Sequence, residues 1–290
     1  LHGYGSPNYT NICYPYPVDP PYVPDDNPVG VYEREFEVLN PDNKHYIVFE
    51  GVSSCLELYI NGSYIGYSQG SRLQAEFDIS EFVKDGKNTV TAKVRKWCSG
   101  SYMEDQDSFR FSGIFRDVYV LSRPEGHIGD IKIITDKNKI SVDFEGTADV
   151  SLKDGVALTD TKNACGHCEF TIENPTLWNA EKPYLYTLEF KYKGEIITQK
   201  IGFAEYKIGK NCEFLVNGTE VKLKGVNHHD THPENGWCMS DEDIENDLKL
   251  MKKLNINTIR TSHYPPTPKF LNMCDELGFY VMLENDSEQH

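Results

Sequence analysis

Ser240-Asp-Glu-Asp-Ile-Glu-Asn-Asp-Leu-Lys-Leu-Met-Lys-Lys-Leu254 is the clearest helical pattern in this 290-residue sequence. Ser240 suits an N-cap, and three acidic residues follow it in the first turn, where they complement the helix dipole. Apolar side chains then recur about one turn apart, at Ile244, Leu248, Met251 and Leu254. The spacing predicts an amphipathic helix that lays one face on a core.

The segments around this helix extend the pattern. Residues 221–226, 256–260 and 279–283 are strand-like, and residues 270–277 form a short helical pattern that ends at Gly278. The order β, α, β, α, β predicts the first units of a parallel TIM barrel. Because three strands cannot close such a barrel, we expect a truncated barrel over residues 204–290.

The residues before position 204 have the sequence pattern of short β-strands. Six prolines between Pro15 and Pro28 predict an extended arm, since proline cannot donate to a strand ladder. Short alternating segments then recur about every ten residues, and Asn61-Gly62 is typical of a hairpin turn. Residues 1–123 are predicted to form a jelly-roll β-sandwich. A break at Arg123-Pro-Glu-Gly126 separates it from a second set of strands, predicted as an immunoglobulin-like β-sandwich over residues 124–203. The expected protein is therefore multidomain and mainly β.

Composition limits the partners and the compartment. Twenty-nine basic and 45 acidic residues give a formal charge of -16, which disfavours nucleic acid and anionic lipid surfaces. No apolar run approaches the roughly 18 to 20 residues that span a bilayer, and no targeting segment is recognisable. Eight scattered cysteines do not resemble a disulfide scaffold. We expect reduced thiols in a cytoplasmic protein.

Two histidine-bearing segments directly follow predicted strands. The first is Gly225-Val-Asn-His-His-Asp-Thr-His-Pro233, and the second contains His263. Since the carboxyl ends of barrel strands meet at one face, His229 and His263 are expected to converge there. A histidine run can bind a metal, can hydrogen-bond to sugar hydroxyls, or can simply belong to a polar loop. The spacing alone leaves all three interpretations open.

Acidic residues mark two further candidate sites. In Glu104-Asp-Gln-Asp107, three carboxylates within four residues repel one another unless a cation or a donor-rich ligand compensates them. Such a run is usually a solvated turn, although the aromatic residues that flank it favour a binding surface. The pair Glu288-x-His290 suits a divalent ion, although any acidic stretch of this kind looks alike.

Cys165-Gly-His-Cys168 has the spacing of a redox-active pair. That chemistry requires the first cysteine at the start of a helix within a βαβ unit. This motif lies between strand-like segments instead, so a surface turn is the competing interpretation. A redox protein would show a low thiol pKa here.

Several longer motifs resemble those of a known protein family. Asn257-Thr-Ile-Arg-Thr-Ser-His-Tyr-Pro265, followed by Phe270-Leu271, Asp275 and Gly278, resembles the signature segment of the family 2 glycoside hydrolases. The proline arm, the segment from Glu104 to Asp117 and the histidine loop resemble the large bacterial β-galactosidases of that family. The similarity covers essentially all 290 residues.

The resemblance implies roles for individual residues. Asp19 and Asp107 would contact the substrate, and Asp107 would also bind Na⁺. His229 and His263 would bind the substrate and contact the distorted sugar in the transition state. Glu288 and His290 would be Mg²⁺ ligands. The implied reaction is hydrolysis of terminal β-D-galactosides such as lactose, with retention of configuration, by an enzyme that is a homo-oligomer at full length.

The sequence also departs from the family pattern. His228 stands where the family usually carries arginine, and the segment from Leu283 to His290 is a diverged version of the usual one. In the family, the acid/base and nucleophile carboxylates follow the position that matches His290, so the chain alone is expected to be inactive. A related family 2 glycosidase such as a β-glucuronidase, or a non-catalytic carbohydrate-binding protein, is the alternative.

Overall fold

The computed structural model describes residues 7–11 and 13–289. The N-terminal region, which ends at Arg123, contains eleven described strands: β1 (Asn8–Thr10), β2 (Val29–Val38), β3 (Lys44–Phe49), β4 (Val52–Ser53), β5 (Cys55–Ile60), β6 (Ser63–Gln69), β7 (Ala75–Asp78), β8 (Gly86–Arg95), β9 (Ser108–Arg110), β10 (Gly113–Ile114) and β11 (Val118–Arg123). A short 3₁₀ helix, Ser99–Met103, follows β8. All of these strands pair antiparallel.

Two sheets of the N-terminal region share one core. Strands β2-β8-β5-β6 form one sheet, and strands β11-β3-β7 form the other. Alternate residues of both sheets are buried between them, including Ile47 and Phe49 from one sheet and Leu56, Leu58 and Val94 from the other. The predicted hairpin is confirmed: Asn61 and Gly62, both with positive φ, join β5 to β6. A β-sandwich results, in agreement with the period-two pattern.

The middle region consists of five antiparallel strands: β12 (Gly129–Thr135), β13 (Lys139–Asp154), β14 (Ala157–Thr171), β15 (Tyr186–Tyr192) and β16 (Glu195–Ile201). β13 is one long strand whose pairing with β14 shifts register between Asp143 and Thr147. The sequence gives only a weak strand signal over most of β14. Its residues up to Asn163 are all exposed, so they carry little of the alternating hydrophobicity that marks a half-buried strand.

The C-terminal region begins with three short antiparallel strands: β17 (Tyr206–Ile208), β18 (Phe214–Val216) and β19 (Thr219–Glu220). It continues with the predicted β, α, β, α, β order: β20 (Gly225–His228), α1 (Asp241–Lys253), β21 (Thr258–Thr261), α2 (Pro268–Leu277) and β22 (Tyr280–Met282). The last three strands are parallel, in the order β20-β21-β22. Ser240 caps α1 by accepting from the Asp243 N–H, as predicted.

Gly278 ends α2 in the left-handed conformation, with φ of 82°. A Cβ at this position would lie 2.3 Å from the carbonyl oxygen of Ala180 in the middle region. Only glycine combines this backbone angle with so close an approach. The same residue therefore ends the helix and seats the C-terminal region on its neighbour.

Candidate functional site

The loops after β20 and β21 bring two of the predicted residues together. The rings of His229 and His263 meet edge to face, with 5.3 Å between their centroids, and the Tyr264 ring is 6.1 Å from that of His229. Arg260, on β21, donates from Nε to Glu284 Oε1 at 2.6 Å and places Nη2 3.3 Å from His263 Nδ1. The convergence expected from strand order is therefore present.

The electrostatic surroundings favour a neutral His229. Partial burial lowers the pKa of this imidazole below its usual value, and the neighbouring His263 lowers it further. Asp107 acts in the opposite direction, since its negative charge raises the same pKa. A neutral imidazole offers one donor and one acceptor, which suits hydroxyl groups. The influence of Asp107 also connects His229 to the acidic segment of the N-terminal region.

The other two histidines of the first loop have partners of their own. His228 is buried, stacks on Phe270 and places Nε2 3.2 Å from Asp247 Oδ2. His232 Nδ1 accepts from two backbone N–H groups of its own loop at 3.1 Å. Within residues 7–11 and 13–289, no three histidine, cysteine or acidic side chains are grouped closely enough to hold a metal ion. His228 and His232 therefore contact different partners.

The acidic segment divides into two internal carboxylates and one at the surface. Glu104 is buried and accepts from the backbone N–H and the hydroxyl of Ser71, at 2.6 and 2.7 Å. Asp105 is buried at 3.3 Å from Arg110. Asp107 is only half-buried and accepts from the hydroxyl of Tyr9. Of the three carboxylates, Asp107 is therefore the one placed to meet a ligand.

The segment after β22 runs alongside this acidic segment. The backbone N–H of Glu288 donates to the carbonyl of Met103 at 2.8 Å, and the Asp105 N–H donates to the carbonyl of Glu288 at 3.0 Å. Glu288 is half-buried, and the Glu284 carboxylate forms an ion pair with Arg260. His290 lies outside the described residues. The Glu288 carboxylate is the kind of oxygen donor that Mg²⁺ prefers.

A buried cluster at the junction of the N- and C-terminal regions was missed by sequence reasoning. The guanidinium of Arg72 lies 3.4 Å from the ring centroid of Tyr264 and 4.0 Å from that of Trp237. The Arg72 backbone N–H donates to Asp286 at 3.0 Å. Burial, reinforced by the charge of Glu104, raises the pKa of Asp286 to about 7. No local pattern in the sequence marks these contacts.

Asp19 and the Cys165–Cys168 motif have different surroundings. Asp19 is exposed in the proline arm, where its backbone N–H donates to the Tyr102 hydroxyl at 3.1 Å. Cys165 and Cys168 lie within β14, the first exposed and the second buried, with no helix start nearby. Burial raises the pKa of Cys168, opposite to the shift that a redox-active thiol requires.

Comparison with known families defines the class. Residues 1–124 match the sugar binding domain of glycosyl hydrolases family 2, residues 120–204 match a second domain of that family, and residues 207–290 match its TIM barrel domain. The chain belongs to family 2 of the glycosyl hydrolases, which confirms the resemblance seen in the sequence.

Within this family, the curated relatives are β-galactosidases. The enzymes of Staphylococcus xylosus and Actinobacillus pleuropneumoniae are each 44% identical to the chain over its whole length. The chain spans about 30% of the length of these relatives.

Solved structures agree on the fold. β-Glucuronidases of Bifidobacterium dentium and Dictyoglomus thermophilum superpose with TM-scores of 0.80 and 0.76, at 22% and 23% identity. The matches cover 88% and 89% of this chain, and 52% and 50% of those chains. Among the described residues, no helix is long and apolar enough to cross a membrane.

Proposed function

We propose that this chain is the N-terminal part of a retaining β-galactosidase that hydrolyses terminal β-D-galactosides such as lactose. The observation that carries the proposal is the ring contact of His229 with His263, together with the charge of Asp107, which raises the pKa of His229, in a chain 44% identical to β-galactosidases. These side chains come from two regions of the fold, so the site requires both.

The two imidazoles bind the sugar hydroxyls. His229 is held neutral, and His263 is oriented by Arg260, whose other side is fixed by Glu284. Hydrogen bonds to a hydroxyl strengthen when charge develops on the distorting sugar ring, so these contacts stabilise the transition state more than the ground state. His229 and His263 thus contribute to catalysis without forming a covalent bond to the substrate.

Asp107 contacts the galactose hydroxyls and serves as a ligand of Na⁺. Its partial exposure and the effect of its charge on His229 support both roles. Asp19 would complete the substrate contacts from the proline arm. A hard monovalent cation suits oxygen ligands and neutralises the carboxylate charge beside the substrate.

Glu288 and His290 would hold Mg²⁺. The backbone pairing of Glu288 with the segment 103–105 supports this role, because it fixes the Glu288 backbone beside the acidic segment. When bound, Mg²⁺ supplies positive charge that orients and tunes neighbouring acidic groups.

The reacting carboxylates come from the remainder of the enzyme. A retaining mechanism needs an acid/base and a nucleophile about 5 to 5.5 Å apart. Around the site, Glu104, Asp105 and Asp286 are buried in internal contacts, and Glu284 pairs with Arg260. The 290-residue chain is therefore expected to be inactive by itself.

The alternative substrate is a β-glucuronide, the substrate class in the names of the similar solved structures. A glucuronide carries a carboxylate that needs a cation. Arg260, beside His263, is already paired with Glu284 at 2.6 Å. A guanidinium paired in this way is a poor partner for a uronic acid, so this observation supports the neutral galactoside.

The decisive experiment compares chromogenic β-galactoside and β-glucuronide as substrates of the complete gene product, with and without a chelator. We expect chelator-sensitive galactosidase activity in the complete product and none in the 290-residue chain. Preference for the glucuronide would support the alternative enzyme. Binding of galactose without turnover by either form would leave a carbohydrate-binding protein.

Two further expectations accompany the enzyme. The full-length protein is proposed to be a homo-oligomer located in the cytoplasm. All eight cysteines are free thiols, which suits a reducing compartment.

A further inference from the structure

The guanidinium of Arg116 is buried where the N-terminal region meets the loops after β20 and β21. Its side chain is only 8% exposed. Nη2 donates to the Pro265 carbonyl at 2.8 Å and lies 3.4 Å from Asp230 Oδ2. Asp230 belongs to the loop after β20, and Pro265 belongs to the loop after β21. One nitrogen of this side chain therefore contacts both histidine-bearing loops.

The other terminal nitrogen of Arg116 contacts the N-terminal region. Nη1 donates to the Arg72 carbonyl at 3.1 Å and, over a longer distance of 3.5 Å, to the Glu50 carbonyl. A guanidinium is planar and holds its donors in fixed directions. The side chain thus joins the backbone of the N-terminal region, through one nitrogen, to both loops through the other.

The two groups that Nη2 contacts are next to the candidate histidines in the sequence. Asp230 directly follows His229, and Pro265 is two residues after His263. The two imidazole rings are 5.3 Å apart. A displacement of either contact would therefore move one imidazole relative to the other.

Strand pairing does not extend to these histidines. The parallel pairing of β20 with β21 ends at His228 and Thr261, and both candidate histidines follow in the loops. Arg116 contacts the two loops beyond this end of the ladder. It is therefore placed to maintain between the loops the spacing that the paired strands establish.

We propose that Arg116 is a positioning residue for the β-galactosidase reaction and sets the spacing of His229 and His263. The inference rests on the proposed function, in which both imidazoles bind the sugar. Arg116 acts through the two loops and not on the substrate. Catalysis depends steeply on such geometry, since a misplacement of about 1 Å can lower the rate about 100-fold.

A stabilising role of Arg116 has to be separated from a positioning role. Arg116 compensates the charge of buried Asp230, so its removal alone also destabilises the fold. The double variant Arg116→Met/Asp230→Asn removes both charges of the pair, which should restore part of the stability. The contact with Pro265 is still lost in this variant. A positioning role therefore predicts that kcat stays low although stability recovers.

The test measures kcat and KM of the complete gene product on a chromogenic β-galactoside, at a temperature where circular dichroism shows each variant folded. In the double variant, kcat should fall by up to about 100-fold with a smaller change in KM, because the histidine contacts strengthen in the transition state. Arg116→Lys keeps the charge but has a single nitrogen, so its kcat should be intermediate. Trp178→Phe is the control for a general loss of stability, because the Trp178 indole donates to the Asp275 carbonyl on α2. It should keep kcat near the wild-type value.

Two kinetic results would overturn the proposal. The first is a kcat within about twofold of the wild type in the folded double variant or in folded Arg116→Lys. The second is an equal loss of kcat in Trp178→Phe, since kcat would then follow stability.

A crystal structure of the double variant gives a readout that does not depend on activity. The rings of His229 and His263 should be displaced from their 5.3 Å spacing, and an unchanged spacing would also overturn the inference. An inactive wild-type enzyme would instead contradict the proposed function. The structural readout would still test the role of Arg116 in that case.

Discussion

The C-terminal region is held on two sides by contacts of different chemistry. Toward the N-terminal region, the contacts are buried and charged. Arg116 donates to the Pro265 carbonyl at 2.8 Å and lies 3.4 Å from Asp230, with both partners of this ion pair almost fully buried. Arg72 donates to Asp286 from its backbone and stacks its guanidinium on aromatic rings.

Toward the middle region, the buried contacts use a neutral indole and backbone groups. Trp178 donates from its indole to the carbonyl of Asp275 at 2.8 Å and packs edge to face on Tyr280. One half-buried charge, the Lys252 ammonium, adds a bond to the carbonyl of Ala180 at 3.0 Å.

The two sets of contacts have different roles. Burying charges is costly, and the cost is recovered only when the geometry is well satisfied. The charged contacts occur on the side that carries Asp107 and the segment around Glu288. They fix the positions of functional groups, whereas the neutral contacts mainly hold two regions together. Four predictions test this division.

Arg116→Met should produce the largest effect. The substitution removes the cation that compensates buried Asp230, and breaking a buried pair typically costs about 3 to 5 kcal/mol. Urea unfolding of the chain should show this loss in the free energy of unfolding. Arg95→Met, at the more exposed pair with Glu57, is the matched control and should change little. A double variant with Asp230→Asn should recover part of the loss. Equal effects at Arg116 and Arg95 would contradict the division.

The free energy of unfolding should depend on pH because of the charged contacts toward the N-terminal region. Burial raises the pKa of Asp286 from 3.8 to about 7, so the folded protein retains a proton that the unfolded chain has released between these values. The free energy of unfolding should therefore fall as pH rises from about 4 to 7, by at most about 4 kcal/mol from this residue. Urea midpoints across this range measure it. Asp286→Asn should flatten the dependence, and an unchanged slope would count against the assignment.

Trp178→Phe tests the neutral side. It removes one indole N–H and leaves the carbonyl of Asp275 without that donor, which should cost about 0.5 to 1.5 kcal/mol. Tyr280→Phe is the control, because its hydroxyl accepts only the longer 3.4 Å bond from Ala180. Thermal unfolding should rank the two variants in that order. A loss for Trp178→Phe as large as that for Arg116→Met would erase the contrast.

The smallest effects should come from one exposed ion pair on each side. Lys269 pairs with Asp117 of the N-terminal region at 3.1 Å, and Lys200 of the middle region pairs with Glu276 at 2.5 Å. Removal of either lysine by alanine substitution should cost about 0 to 1 kcal/mol, since both pairs are exposed to solvent. Equally small shifts in the urea midpoint for the two variants would show that the two sides differ in their buried contacts and not in their exposed ion pairs.

Much of the C-terminal region was predictable because its signals are local. Ser240 and the apolar period define α1, Gly278 ends α2, and strand order places His229 and His263 at one face. The separate roles of the acidic residues were not predictable. Glu104 and Asp107 look alike in the sequence, yet Glu104 is internal because Ser71, 33 positions earlier, supplies two donors.

Sequence by itself determined the strand and helix periods, the glycine and cap positions, the family and the convergence of the two histidines. Tertiary structure alone decided which carboxylates are buried and how Asp286 reaches Arg72 across 214 positions. The physical reason is the range of the interactions. Backbone geometry and amphipathic faces depend on residues a few positions apart, whereas the partner of a buried polar group is chosen by packing between distant segments.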